Sequence, residues 1–218
     1  MWIKICGNTS LDDTLLAVEA GADAVGFVFA PSPRQVTLDA VSAITPVLPA
    51  RVERIGVFVN ASFGELSQAI RRCELTGVQL HAGSDPALTA TLRQSFGATL
   101  RILRVVHYGA EAQAETEAIA ADPNIDAVLI DSRTATALGG TGISFDWEAA
   151  SNTLFNTYEN RKMIAAGGLK PGNVAEAIRI LNPWGVDVAS GVEMAPGRKD
   201  PAKVKSFILE ARAAQATL

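Results

Sequence analysis

A chain of 218 residues with 48% hydrophobic residues and a mean hydropathy of +0.19 carries enough apolar material for one substantial core, which excludes a disordered chain. The formal net charge of −4, without a basic tract, argues against a nucleic-acid partner. Apolar runs stop well short of the roughly 20 residues needed to cross a bilayer, so no membrane partner is expected.

Strand-like runs alternate with helical patterns from end to end. The first run, 2–6, reads as a strand and not a leader, because no basic stretch precedes a long apolar core. Asn8, Thr9 and Ser10 then offer caps for a helix over 11–20, which Gly21 ends. Residues 24–29 are continuously apolar, as in a parallel sheet buried on both faces. A proline-rich loop, 30–35, leads to a helix over 38–47. Further strands are expected over 54–59, 77–81, 100–106 and 126–131, followed by helices over 63–72, 86–94, 110–120 and 146–152. Strands over 162–166 and 186–190, with helices over 171–180 and 201–214, close the chain. Eight such units without a break in composition favour one (β/α)8 TIM barrel over 1–218, and not an open doubly wound sheet.

In such a barrel the chemistry lies where strands end and βα loops begin. That rule selects Cys6, Arg34, His81, Asp131, Asp187 and the glycine turns late in the chain. Cys6 is either a small buried hydrophobe or, as thiolate, a base at the end of the first strand. Asp131 either caps the loop that follows it or serves as an acid whose burial favours the protonated form. Asp187 binds sugar hydroxyls or pairs with a neighbour. Arg34, held between prolines, is either a solvated loop residue or a fork for a carboxylate. His81 either orients a substrate or is a satisfied group at the mouth, and His107 is assigned no role. The turns at Gly167-Gly168 and Ser190-Gly191 follow the last two strands, where backbone amides and a short helix bind phosphate in many barrels; otherwise they are plain tight turns. Cys6 and Cys73 have no metal-ligand spacing and make no disulfide framework, so no metal and a reducing cytoplasm are expected.

Eight segments then occur in a specific order: KICG at 4–7, EAGADAVGFVF at 19–29, SPR at 32–34, GVQLH at 77–81, LIDS at 129–132, GGTG at 139–142, AGGL at 166–169 and VDVASGVE at 186–193. The ordered set resembles the phosphoribosylanthranilate isomerase family of tryptophan biosynthesis and covers nearly the whole chain. The resemblance implies an Amadori rearrangement of a phosphorylated aminosugar, with Cys6 as general base and Asp131 as general acid. It further implies that Arg34 holds the anthranilate carboxylate, that His81 and Asp187 touch the substrate, and that amides around Gly142, Gly167, Gly168, Ser190 and Gly191 bind phosphate. No cofactor is implied, because the substrate's own nitrogen is the electron sink. One departure weakens the assignment of His81: Ala82 stands where the family usually places glycine.

Related barrels fit less well. A histidine-pathway aminoaldose isomerase is expected to use two aspartates, a metal-dependent epimerase needs more histidines than the 2 present, and indole-glycerol phosphate synthase is expected to use a lysine acid. A non-catalytic phosphate-binding barrel remains the alternative from another class. A monomer is expected, with a homodimer as the alternative.

Overall fold

The computed structural model describes residues 1–81, 85–132, 146–158 and 160–218. Eight parallel strands close on themselves in chain order: β1 (Trp2–Ile5), β2 (Ala24–Val28), β3 (Glu53–Val59), β4 (Gly77–His81), β5 (Arg101–His107), β6 (Ala127–Asp131), β7 (Lys162–Ala165) and β8 (Gly185–Val188). The barrel seam is the pairing of β1 with β8, in which Lys4 lies opposite Asp187. The helices between and after them are α1 (Leu11–Glu19), α2 (Leu38–Ile44), α3 (Phe63–Arg72), α4 (Pro86–Phe96), α5 (Ala112–Ala120), α6 (Trp147–Ala150), α7 (Val174–Leu181) and α8 (Pro201–Gln215). Among the described residues no helix is long and apolar enough to cross a membrane.

Helix starts follow local chemistry. Ser10, Thr37, Ser62, Asp85, Asp146 and Asp200 each accept a backbone N–H in the first turn, and Ser62 with Glu65 forms a full capping box. The expected helix over 171–180 begins only at Val174, because Gly172 has a φ of +85° that no helix accommodates. One element was not foreseen: a short antiparallel hairpin, β9 (Glu193–Ala195) with β10 (Arg198–Lys199), inserted between β8 and α8.

The period-2 alternation of the strands divides the core in two. Outward-facing residues such as Ile3, Phe27, Val78, Ile102 and Ile130 pack beneath the helices, whereas Trp2, Ala24, Ile55, Leu103, Val105, Leu129 and Ile164 form a separate cluster inside the barrel. At the N-terminal end Trp2 stacks on Trp184 with ring centroids 5.3 Å apart, and Arg101 and Lys162 lie over the Trp184 ring at 5.3 and 5.0 Å. Glu53 fixes this plug by accepting from Arg101 Nε at 2.6 Å and from Trp2 Nε1 at 3.3 Å. Residues two and four places beyond the inner cluster on each strand must therefore face the C-terminal mouth.

Leu103 is wholly buried in this inner layer, whereas Leu209 on α8 is largely exposed. Leu103→Ala is expected to lower unfolding stability by about 2–5 kcal/mol in urea titration, and Leu209→Ala to leave it near wild type.

Candidate active site

Four consequences of the inner parity define the mouth. Lys4 and then Cys6 follow Trp2 on β1, Gln79 and His81 follow Gly77 on β4, His107 follows Val105 on β5, and Asp131 follows Leu129 on β6. Cys6 is buried just past β1, its N–H donating to the Val188 carbonyl at 2.8 Å. The turn after it is held by the Asn8 side chain, which donates to the carbonyls of Ile5 at 2.8 Å and Gly26 at 3.2 Å. A Cβ on Gly26 would lie 2.7 Å from Cys6 Sγ and 2.9 Å from Lys4 Cε, so this glycine makes room on β2 for both side chains.

Lys4 is wholly buried and is the hub of the floor. Its ammonium donates to Asp187 Oδ1 at 2.9 Å and, across the barrel, to Gln79 Oε1 at 2.8 Å. Gln79 Nε2 lies 3.0 Å from His81 Nε2, and the His81 ring lies 5.9 Å from that of His107. A polar chain thus runs from β8 through β1 and β4 to β5. Burial pulls the Lys4 ammonium down, but the Asp187 carboxylate and the Cys6 thiol together outweigh it and hold the pKa above the ordinary lysine value. Asp187, expected either to bind sugar hydroxyls or to pair with a neighbour, is here the partner of Lys4.

Asp131 ends β6 almost fully buried, paired in register with His107. A Cβ on Gly167 would lie 2.6 Å from Asp131 Oδ1 and 2.2 Å from Ser132 Oγ, so the turn after β7 packs directly on Asp131 and Ser132. Gly167 and Gly168 both have positive φ, at +78° and +67°. Asn173 braces that turn by donating to the Gly168 carbonyl at 3.0 Å. Gly191, in the 3-10 turn Ser190–Val192, approaches so closely that a Cβ there would meet the Leu169 carbonyl oxygen at 1.9 Å. The two glycine turns expected to act together therefore touch. Gly142, the rest of the GGTG segment and Ala82 lie outside the described residues.

Arg34 is not solvated. Its stem lies on Gly7, whose added Cβ would be 2.6 Å from Arg34 Cδ, and its Nε and Nη2 donate to Glu193 Oε1 at 2.8 Å and Oε2 at 2.6 Å. Lys199 completes the cluster: its ammonium donates to Glu193 Oε1 at 3.0 Å, the Cys6 carbonyl at 2.6 Å and the Ala189 carbonyl at 3.3 Å. Hydrogen bonding to Glu193 holds the Arg34 guanidinium above its ordinary value. Burial pushes the Glu193 carboxyl up, but Arg34 and Lys199 outweigh it, so its pKa lies below the ordinary value. Burial lowers that of Lys199 against the pull of Glu193.

Sequence reasoning missed Glu193, Lys199, Gln79 and His107. Pro196-Gly197 was the available signal for the hairpin that carries the first two. For His107 the signal was its parity with Val105, and its buried Nδ1 has no hydrogen-bond partner among the described residues. Among the described residues no cluster of three or more His, Cys, Asp or Glu is placed to hold a metal.

Parallel barrels of this construction carry their chemistry at the C-terminal mouth, and comparison places this one in a class of barrel isomerases. The family model described as N-(5'phosphoribosyl)anthranilate (PRA) isomerase matches residues 3–210. The chain is 41% identical over 211 residues to the N-(5'-phosphoribosyl)anthranilate isomerase of Citrifermentans bemidjiense, covering 96% of each chain. It is 40% identical over 218 residues to that of Geobacter metallireducens, covering 97% of this chain and 98% of the relative. The crystal structure of phosphoribosyl anthranilate isomerase from Thermotoga maritima superposes with a TM-score of 0.85 at 34% identity, covering 98% of this chain and 99% of that one. A crystal structure of such an isomerase in complex with reduced 1-(o-carboxyphenylamino)-1-deoxyribulose 5-phosphate gives a TM-score of 0.82 at 33% identity, with the same coverage. The chain belongs to the N-(5'-phosphoribosyl)anthranilate isomerase family.

Because the Glu193 pKa is lower in the folded chain than in the unfolded one, its pairing adds stability above the ordinary glutamate value, and that stability is lost as pH falls through the depressed value. Glu193→Gln is expected to lower the Tm at neutral pH, and the gap to wild type should narrow on acidification. Thermal melts of both proteins from neutral pH downward check this; a gap that stays constant would contradict it.

Proposed function

We propose that this protein rearranges N-(5-phosphoribosyl)anthranilate to 1-(2-carboxyphenylamino)-1-deoxyribulose 5-phosphate in tryptophan biosynthesis, with Asp131 as general acid and Cys6 as general base. The observation that carries this reading is the position of the two groups. Both face inward at the C-terminal ends of their strands, with β7 and β8 between those strands around the closed barrel. A sugar seated across the mouth can meet an acid on one side and a sulfur on the other.

Asp131 gives a proton to the furanose ring oxygen as the C1′–O bond breaks, and the substrate nitrogen supplies the electron pair that forms the protonated Schiff base. The Cys6 sulfur takes the C2′ proton, the electrons of that C–H bond form the enolamine, and the enolamine tautomerises to the C2′ ketone. One proton is delivered and one removed, so the product is an isomer and no redox partner enters. In this reading Arg34 grips the anthranilate carboxylate, while His81 and Asp187 meet the substrate's polar groups from the floor. The amides around Gly142, Gly167, Gly168, Ser190 and Gly191 bind the phosphate. The contact between the two glycine turns supports that last assignment, because it brings two βα loops together in one place. Two free, buried cysteines suit a reducing cytoplasm.

The test is turnover of freshly generated phosphoribosylanthranilate, followed by loss of its fluorescence. Wild type is expected to turn over, and Cys6→Ala and Asp131→Asn each to lower kcat by about two orders of magnitude or more. A wild-type protein that binds the reduced product analogue but never turns over would instead be a phosphate-binding scaffold.

A further inference from the structure

We propose that Glu193, pinned by Lys199, is the residue through which the mouth selects for a substrate carboxylate: it holds the Arg34 guanidinium in place with one donor edge left open. The inference rests on the reading above that Arg34 is the carboxylate fork.

A guanidinium has five N–H donors arranged in a plane, enough for two carboxylates gripped side by side. Glu193 occupies the edge made by Nε and Nη2, at 2.8 and 2.6 Å. The remaining edge, Nη1 with the second Nη2 hydrogen, has the same parallel spacing. The Arg34 side chain keeps 12% of its surface accessible, against 4% for Glu193, so of the two it is the arginine that retains accessible surface.

What fixes Glu193 is unusually complete. The Lys199 side chain has 0% exposure, and its three N–H donors meet three acceptors: Glu193, the Cys6 carbonyl and the Ala189 carbonyl. Asp13 takes the Lys199 backbone N–H at 3.2 Å and not the ammonium. The hairpin turn is fastened separately, Thr9 Oγ1 donating to the Gly197 carbonyl at 2.6 Å. On the other side Arg34 N donates to Ser32 Oγ at 2.9 Å, and its stem rests on Gly7. Guanidinium, carboxylate and ammonium together carry one net positive charge, and a second carboxylate in the mouth meets a fork whose other edge is already held.

The experiment measures, by calorimetry, the affinity of reduced 1-(o-carboxyphenylamino)-1-deoxyribulose 5-phosphate and of its phenylamino counterpart lacking the carboxylate. Wild type should prefer the carboxylated compound by about tenfold or more. Glu193→Gln turns one acceptor oxygen into an N–H donor that opposes Arg34. It should abolish most of that preference while binding the carboxylate-free compound within about twofold of wild type. If both compounds weaken in parallel, Glu193 is only a structural pair and the proposal fails. Arg34→Met separates the two ideas. Preference retained in Arg34→Met defeats the fork reading itself. Preference lost there but kept in Glu193→Gln defeats this proposal alone. Should Glu193→Gln not accumulate as folded protein, Glu193→Asp, which withdraws the charge by one methylene, is read against the same outcomes.

Discussion

A lysine ammonium with no contact with water sits at the centre of the barrel. Left alone there it would cost several kcal/mol, and the structure is arranged around preventing that. Asp187 on β8 supplies the opposite charge and Gln79 on β4 a further acceptor, so Lys4 ties the seam of the barrel to its far wall. Removing Asp187 leaves a buried ammonium without its counter-ion, and removing Lys4 leaves a buried carboxylate and a buried amide oxygen short of a donor, so the three residues are coupled. Above this floor the mouth can be polar while the layer beneath it stays a plain hydrocarbon core. Cys6 shares the same small volume as the lysine, over a glycine that no other residue could replace without displacing one of them.

The second buried lysine does for the loops what the first does for the strands. Lys199 links the end of β1, the end of β8 and the inserted hairpin through three acceptors, so the position of Cys6 is referred to the same anchor as that of Arg34. Cys6 and Arg34 are thus parts of one hydrogen-bonded cluster, and Asp131 belongs to a separate one built on β6 and the turn after β7. Displacement of one cluster relative to the other would change the distance between Asp131 and Cys6 without disturbing the geometry within either.

Much of the architecture was legible because it rests on local signals. Continuous apolar runs, capping residues and glycine stops place all eight strands and the helices between them to within a few residues. Parity then makes sense of which polar residues reach the mouth. What could not be read was pairing at long range. Nothing near Asp187 in sequence points to a lysine 183 positions away, and nothing near Arg34 points to Glu193, 159 positions on. The ambiguity left over Asp187 and Arg34 was therefore real: their charge was visible, but their partners depended on strand register and on a hairpin only a few residues long. The start of α7 was misplaced for a different reason, since a helical pattern of apolar residues says nothing about a single positive φ at Gly172.

The tryptophan plug at the opposite end bears on traffic. With Trp2 stacked on Trp184 and two cations closing over the indole, the barrel is plugged at its N-terminal end. Whatever enters must turn round and leave by the same rim, so arrival and departure compete for one passage. On the mechanism proposed above, the proton that Asp131 gives up is replenished from above, through the space the ligand itself occupies, and recovery of the acid is then tied to the ligand's departure.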